Sequence, residues 1–462
     1  MNINYAEKLK ELNKGEKLYY YILTMGCSLN ENDSEKLCGM IEEVGYERTE
    51  DVNIANVYII NTCCVRENAE ERVFGKLGEF KVLKEKNNSI IAIGGCMMQE
   101  EHITDKLKKS YPFIDVIFGT HTLHKFIQDL YNVRKDHSHI VDILDIDGEI
   151  YEGMPIKRQN DWKALVTIMY GCNNYCTYCI VPYVRGRERS RHPEDILNEI
   201  KELASDGYKE ITLLGQNVNS YAGGVEPDGH IGSSLQYTFA KLLQEVEKIE
   251  GIEKISFLSP HPKDFTDDVI DVIAESKKIS RLLHIPLQSG STSVLKKMNR
   301  KYTKESYLGL VEKISKKVPD VVFSTDVIVG FPGETEEDFS DTLDVVRKVN
   351  FEQIFMFIYS IRKGTIAEKM EDQIPEEVKH ERFNRLKEIY EKRVEESNKK
   401  YIEKTYRVLV EGYSKNNRKM LTGRTDSNKI VVFEGTEDKI GEVVDIKILS
   451  EHKWYLKGKI IS

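Results

Sequence analysis

The chain has 462 residues, 31% of them charged and 40% hydrophobic, with a net charge of −9. At roughly 100–200 residues per domain, that is room for two to four domains with cores of their own. No apolar run reaches the ~18 residues of a membrane span. The N-terminal "MNINYAEKLKELNKGEKLYYY" is charged throughout and lacks the apolar core of a secretory leader. The expectation is a cytosolic protein whose eight cysteines serve metal binding or catalysis rather than disulfides.

From about residue 18 to 135, apolar runs alternate with charged helical patterns. The runs are "YYYILT", "VYIIN", "SIIAIGG" and "DVIF". Continuous apolar runs between helices predict βαβ units and a doubly wound parallel sheet. Residues 136–160 are charged and irregular and read as a linker, with room for a hairpin. A second βα series follows, with strands at "ALVTIM", "EITLLG", "KISFLS", "LLHIPLQ", "VVFSTDVIVG" and "QIFMFIY". Six strands are too few for an eight-stranded barrel, so the expectation is a partial, open (βα)6 barrel. "PEEVKHERFNRLKEIYEKRVEESNKKYIEK" is a long charged helix leading out of it. The last ~60 residues carry short strands with turns at "KNNRK", "TDSNK" and "FEGTEDKIGE", the pattern of a small all-β barrel. From Tyr401 to Ser462, 12 Lys and Arg stand against 9 Asp and Glu, a balance of +3 that leaves −12 for the other 400 residues. A basic module on an acidic body suits a polyanionic partner held at one place.

Ligands of open α/β sheets bind outside the carboxyl ends of the strands. Three cysteines fall there in the first segment: Cys27 in "TMGCSLN", Cys63 in "NTCCVREN" and Cys96 in "GGCMMQ". Cys64, beside Cys63, leaves that ligand ambiguous by one residue, and Cys38 sits among apolar residues as a core side chain. In the second series, "MYGCNNYCTYC" puts Cys172, Cys176 and Cys179 on one short loop. Zinc could take these three with His192 as a fourth, closed ligand. An iron–sulfur cluster on three thiolates would instead keep one iron open for chemistry.

C-x-x-x-C-x-x-C after the first strand of an incomplete βα barrel resembles the radical S-adenosylmethionine (SAM) superfamily. "DVIVGFPGETEEDF" resembles its glycine-containing strand near the SAM adenine, and "HIPLQSGS" its segment near the ribose and methionine. "GCSLNENDSEK", "NTCCVRENAEERVFGKLG" and "GGCMMQ" resemble the N-terminal domain of the methylthiotransferases. "FGTHTLHKF", "LLGQNVNSY" and "IVPYVRGRERSR" are similar to the MiaB-type tRNA branch, and the C-terminal barrel to its TRAM RNA-binding domain. The resemblance implies residues 18–135 as the methylthiotransferase N-terminal domain, 158–388 as the radical SAM core and 397–460 as the TRAM domain.

It also implies that Cys172, Cys176 and Cys179 hold a SAM-cleaving 4Fe–4S cluster, and Cys27, Cys63 and Cys96 an auxiliary one. Gln288, Ser289, Asp326, Gly330 and Gly333 are the expected SAM contacts. Arg185, Arg187, Arg418, Lys419, Arg424 and Lys429 are the expected RNA contacts. The implied reaction is methylthiolation of carbon 2 of an N6-isopentenyladenosine next to the anticodon, with two SAM consumed. One SAM supplies a methyl group and the other a radical, the route open to an unactivated aromatic C–H bond. The implied partners are tRNA, an electron donor such as flavodoxin or ferredoxin, and a sulfur donor, around a monomeric enzyme. Two sister branches act on threonylcarbamoyl-adenosine in tRNA and on an aspartate of a ribosomal protein. They differ after the second cluster cysteine from "VRENAEERVFGKL". A non-catalytic iron–sulfur RNA-binding protein would need neither "HIPLQSGS" nor "VGFPGET".

Overall fold

The computed structural model describes residues 4–64, 69–144, 149–224, 237–414 and 417–461. The expected "VREN" start of a helix and part of the "KNNRK" turn lie outside the described residues. The chain forms two compact units, Met1–Tyr175 with Cys179–Thr238, and Cys176–Tyr178 with Phe239–Ser462.

The first unit opens with helix α1 (Tyr5–Leu12) and strand β1 (Leu18–Thr24). Then come α2 (Ser28–Glu43), β2 (Tyr46–Arg48), β3 (Val57–Thr62), α3 (Ala69–Asn87), β4 (Ile90–Gly95), α4 (Glu101–Ser110), β5 (Val116–Phe118), α5 (Phe126–Asp136) and β6 (Ile140–Asp142). All six strands are parallel, in the order β2-β1-β3-β4-β5-β6. β3 is buried at every position, as a strand covered on both faces must be. One core joins Leu9, Leu37, Ile41, Phe126 and Leu130 to the sheet, and a second joins Val73, Leu77, Phe80, Ile103 and Leu107. Helices α1, α2 and α5 therefore cover one face and α3 and α4 the other, which is the doubly wound arrangement. Within the stretch read as a linker, Ile140–Asp142 forms β6 and extends the parallel ladder beyond β5, and no hairpin is formed among the described residues.

The same unit continues with β7 (Lys163–Thr167), β8 (Met169–Tyr170), the single helical turn α6 (Val181–Val184), β9 (Arg189–Ser190), α7 (Pro193–Ser205), β10 (Glu210–Leu214), β11 (Ala222–Gly223) and β12 (Tyr237–Thr238). β7 and β10 pair in parallel. α2 is fixed to β7 by buried polar contacts: Thr167 donates to Asn32 Oδ1 at 2.9 Å, and Asn32 Nδ2 to the Leu165 carbonyl at 3.1 Å.

The second unit carries α8 (Phe239–Glu247), β13 (Lys254–Phe257), α9 (Asp267–Glu275), β14 (Leu282–His284), α10 (Thr292–Lys297), α11 (Lys304–Lys317), β15 (Val322–Val329), α12 (Glu336–Lys348), β16 (Phe351–Ile358) and α13 (Glu376–Lys399). β14, β15 and β16 are parallel neighbours. The six expected strands of the second series are all present, and each lies in the βα pattern. "TEED" starts α12 with a capping box between Thr335 and Asp338. The expected long helix is α13. Its Tyr390 hydroxyl donates to the Glu352 carbonyl of β16 at 3.3 Å, and Asn398 Nδ2 to the His452 carbonyl at 2.8 Å. α13 thus ties the parallel sheet to the C-terminal strands β17 (Thr405–Ser414), β18 (Asn417–Thr425), β19 (Ile430–Glu434), β20 (Val443–Glu451) and β21 (Leu456–Ile460). These close into a barrel in the order β17-β18-β19-β21-β20 around Val408, Leu421, Phe433, Ile446 and Leu456.

Candidate functional site: two cysteine triplets

In the first sheet the strand order turns back between β1 and β3, and the crevice at such a reversal is where open sheets bind ligands. Cys27 follows β1 and precedes the first residue of α2, Cys63 follows β3, and Cys96 follows β4. A Cβ on Gly26 would stand 2.7 Å from Cys63 Cβ, so these two loops touch through a position that only glycine can occupy. Gly95 has φ +99°, and a Cβ there would meet the Thr62 carbonyl oxygen at 2.5 Å. That contact presses the β3 and β4 exits together.

Asn30, fully buried on α2, binds the place together. Its Nδ2 donates to the Met25 carbonyl at 2.9 Å and the Thr62 carbonyl at 2.6 Å. Its Oδ1 lies 4.0 Å from Cys27 Sγ and 3.7 Å from Cys96 Sγ. Cys64 packs with Cys96 in a small buried cluster with Ile180 and Val184. A hydrogen bond from the Cys64 thiol holds Cys96 below the ordinary thiol range and Cys64 above it, and the Arg185 guanidinium adds to the first effect.

Arg185 departs from its expected role. It is 3% exposed and does not reach a surface where RNA could lie. The turn of α6 ends on it, with its N–H donating to the Val181 carbonyl at 2.8 Å, and this turns the side chain inward. Its Nε donates to Cys96 Sγ at 3.1 Å, and its Nη2 lies 2.8 Å from Asn30 Oδ1 and 2.7 Å from Asp33 Oδ2. Arg187, two residues on, is exposed.

The second triplet begins after β8. Gly171 has φ +74°, and a Cβ there would collide with the Arg187 carbonyl oxygen, so the loop entry requires glycine. Cys172 N–H donates to the Gly186 carbonyl at 3.2 Å, and Asn174 Nδ2 approaches Cys172 Sγ at 3.5 Å. Cys179 is partly exposed. Cys176 belongs to the second unit, where Arg300 Nη1 approaches its Sγ at 3.5 Å. Thr177 anchors that part of the loop: its N–H donates to the Met298 carbonyl at 3.1 Å and its hydroxyl to the Lys297 carbonyl at 2.9 Å. His192, the fourth ligand of the zinc alternative, is the exposed N-cap residue of α7.

Among the described residues, no three His, Cys, Asp or Glu side chains converge on one ion-sized point. A four-iron cube takes each thiolate on a different iron, so its ligands stand apart, and an all-thiol donor set is the one iron–sulfur clusters use. Both triplets fit that group by their chemistry.

The expected SAM contacts divide. Gln288 is held with φ +64°, its N–H donating to the Asp326 carbonyl and its own carbonyl accepting from Ile328, both at 2.8 Å. Asp326 Oδ2 lies 3.3 Å from His284 Nε2. Ser289 is fully buried, with its hydroxyl 3.4 Å from Thr342 Oγ1 of α12, so that hydroxyl packs against the helix. Gly330 and Gly333 have φ +73° and +68° and shape the turn after β15. Gly330 N–H donates to the buried Glu334 carboxylate at 2.8 Å, and Arg382 Nη1 donates to the same carboxylate oxygen at 2.8 Å.

On the C-terminal barrel Arg418 and Lys419 are exposed. Arg424 is half-buried, paired with Glu411 at 3.1 Å. Lys429 is a second correction: its ammonium is largely buried in an ion pair with Glu352 of β16, which occupies the charge an RNA phosphate would need. The sequence reading missed Asn30, Asp33 and Arg300. Arg300 carried no signal, because "NRK" resembles any charged turn. Asn30 and Asp33 carried no distinct signal either, because the first half of α2, "SLNENDSEK", is polar at nearly every position.

Three family models match the chain: the radical SAM superfamily over residues 166–346, an uncharacterized family, UPF0004, over 19–119, and the TRAM domain over 399–461. A solved radical SAM methyltransferase, TsrM from Kitasatospora setae with cobalamin and a [4Fe-4S] cluster bound, shares the fold. Its TM-score is 0.54 at 12% identity, over 76% of this chain and 77% of that one. The class is therefore that of radical SAM proteins. Curated relatives then narrow it. The tRNA-2-methylthio-N(6)-dimethylallyladenosine synthase of Clostridium beijerinckii is 53% identical over the whole of both chains. The protein of the same name from Clostridium botulinum is 55% identical over 96% of this chain and 97% of its own. The chain belongs to the family of tRNA-2-methylthio-N(6)-dimethylallyladenosine synthases.

Proposed function

We propose that this chain is a radical SAM transferase that methylthiolates carbon 2 of N6-isopentenyl(dimethylallyl)adenosine next to the anticodon of tRNA. The observation that carries the reading is the pair of three-thiol sites in a chain matched end to end by relatives of that name. Its cofactors are two 4Fe–4S clusters and SAM. When bound, the cluster on Cys172, Cys176 and Cys179 supplies the electron that splits SAM, and the cluster on Cys27, Cys63 and Cys96 supplies the sulfur to be transferred.

The chain's own residues bind and orient. Three thiolates at each site leave one iron position for a substrate. Gln288, four residues past β14, is hydrogen-bonded to Asp326 within β15, and the turn of Gly330 and Gly333 follows that strand; these remain the candidates for SAM contact. Arg418 and Lys419 are the barrel's candidates for the RNA backbone. In this reading the protein works in the cytoplasm as a monomer, takes electrons from a flavodoxin- or ferredoxin-type donor and draws on a separate sulfur donor. No helix among the described residues is long and apolar enough to cross a membrane.

The deciding experiment is nucleoside analysis of tRNA from cells lacking the protein, with the gene restored as control. Loss of the 2-methylthio nucleoside with accumulation of N6-isopentenyladenosine is expected. Unchanged 2-methylthio nucleoside in a strain with no second such enzyme rules the substrate out. In anaerobically reconstituted protein, Cys172→Ala should abolish 5′-deoxyadenosine formation, whereas Cys27→Ala or Cys96→Ala should halve the iron and retain it.

A further inference from the structure

Each cysteine triplet has a buried arginine directed at one of its sulfurs. In the first unit Arg185 Nε lies 3.1 Å from Cys96 Sγ, and in the second Arg300 Nη1 lies 3.5 Å from Cys176 Sγ. The two are 3% and 9% exposed. A guanidinium out of water is costly unless an anion compensates it. Arg185 has such an anion in Asp33, at 2.7 Å. The described partners of Arg300 are a hydroxyl, a carbonyl and Cys176, with no carboxylate among them. Its Nε donates to the Tyr302 hydroxyl at 2.9 Å and its Nη2 to the Pro286 carbonyl at 3.4 Å. That hydroxyl is itself fixed on the Pro286 and Leu287 carbonyls, at 3.0 and 2.9 Å. The guanidinium is therefore aimed at Cys176 by neutral groups. A cluster held by three thiolates carries net negative charge and gains one more on reduction.

We propose that Arg300 and Arg185 are positioning residues for the two clusters, and that Arg300, uncompensated by a carboxylate, raises the reduction potential of the SAM-cleaving cluster. This rests on the two-cluster reading above. Hydrogen bonds to cluster sulfurs and local charge are the protein's main means of setting such potentials. A fixed positive charge beside Cys176 favours the more negative, reduced state, which is the one that donates to SAM. At the auxiliary site Asp33 cancels most of that effect, so Arg185 orients the Cys96 sulfur with little influence on potential.

The test is an EPR-monitored redox titration of the full-length, anaerobically reconstituted chain. A Cys27→Ala/Cys63→Ala/Cys96→Ala background leaves only the SAM cluster, and a Cys172→Ala/Cys176→Ala/Cys179→Ala background only the auxiliary one. In the first, Arg300→Gln should move the midpoint to more negative potential at unchanged iron content, and Arg300→Lys should restore most of the shift. In the second, Arg185→Gln should change the g-values of the reduced cluster while shifting its midpoint less than Arg300→Gln shifts the other. A midpoint unmoved in Arg300→Gln overturns the inference, as does a shift equally large in Arg185→Gln. Should Arg300→Gln lose its iron, Arg300→Lys still decides, because a midpoint far below the parent's defeats the charge argument. Parent protein that takes up no reducible cluster would instead defeat the two-cluster reading.

Discussion

Replacing Arg382 by methionine should destabilise the second unit strongly at pH 8 and weakly at pH 6. Arg382 and Glu334 are 6% and 0% exposed, and their ion pair spans 2.8 Å. Burial, opposed by the Gly330 N–H and by Arg382, pushes the Glu334 carboxyl up from 4.5 to about 6. The native state thus favours the neutral acid. That contribution to stability is complete below about pH 4.5 and is lost as pH rises through about 6.

Once Arg382 is gone, Glu334 has no partner charge and takes up a proton instead. At pH 8, about two pH units above its native value, holding it neutral costs about 2.7 kcal/mol, at ~1.36 kcal/mol per unit. Arg382 Nη1 also donates to the Glu334 carbonyl at 2.9 Å. Losing that bond costs about 1 kcal/mol at any pH. The expected loss is close to ~4 kcal/mol at pH 8 and ~1 kcal/mol at pH 6. Urea unfolding of the full chain in a Trp162→Phe background measures it, because Trp454 lies 6.3 Å from Tyr390 of α13 and reports on that helix. Equal losses at the two pH values, or a loss under ~1 kcal/mol at pH 8, would refute the reasoning.

Gly330→Ala should lower the thermal midpoint on two counts. A left-handed φ of +73° costs about 1–2 kcal/mol for a residue with a Cβ. The new methyl would also collide with Lys379 Cγ. Adding Lys379→Ala in a double-mutant cycle should recover only the second part. Cys64→Ser should keep the iron of both clusters while Cys63→Ser loses that of one, read by iron and sulfide analysis. Arg418→Ala/Lys419→Ala should flatten the salt dependence of tRNA binding, by about 0.7–0.9 in log–log slope for each phosphate no longer neutralised. Lys429→Ala should leave that slope unchanged and lower the stability of the second unit, since its charge is already spent on Glu352.

The strands legible in the sequence were those that carry continuous apolar runs. β2 and β6 are three residues each, and β2 buries only Tyr46, so they exist through hydrogen bonds to a neighbour rather than through their own pattern. The cysteines after β1, β3 and β4 were legible because strand ends in an open sheet are where ligands gather. Side-chain direction was not. "VRGRERSR" reads as a polyanion contact, yet one helical turn sends Arg185 inward and leaves Arg187 outside. Lys429 falls in a turn by local sequence, and only the packing of the C-terminal barrel onto β16 shows that Glu352 is its partner. Such pairings join residues far apart in the chain, and no local window contains both.

The reach of Arg185 bears on how this protein can be taken apart. The first sheet has its own two cores. The side chain that grips Cys96 nevertheless comes from 89 residues further along. A grafted or excised N-terminal segment would therefore carry all three thiols and Asn30 but not the guanidinium on Cys96. The auxiliary site is not a portable module: it is completed by Arg185, from the segment that leaves the other cysteine loop, so it cannot be inherited or exchanged without that segment.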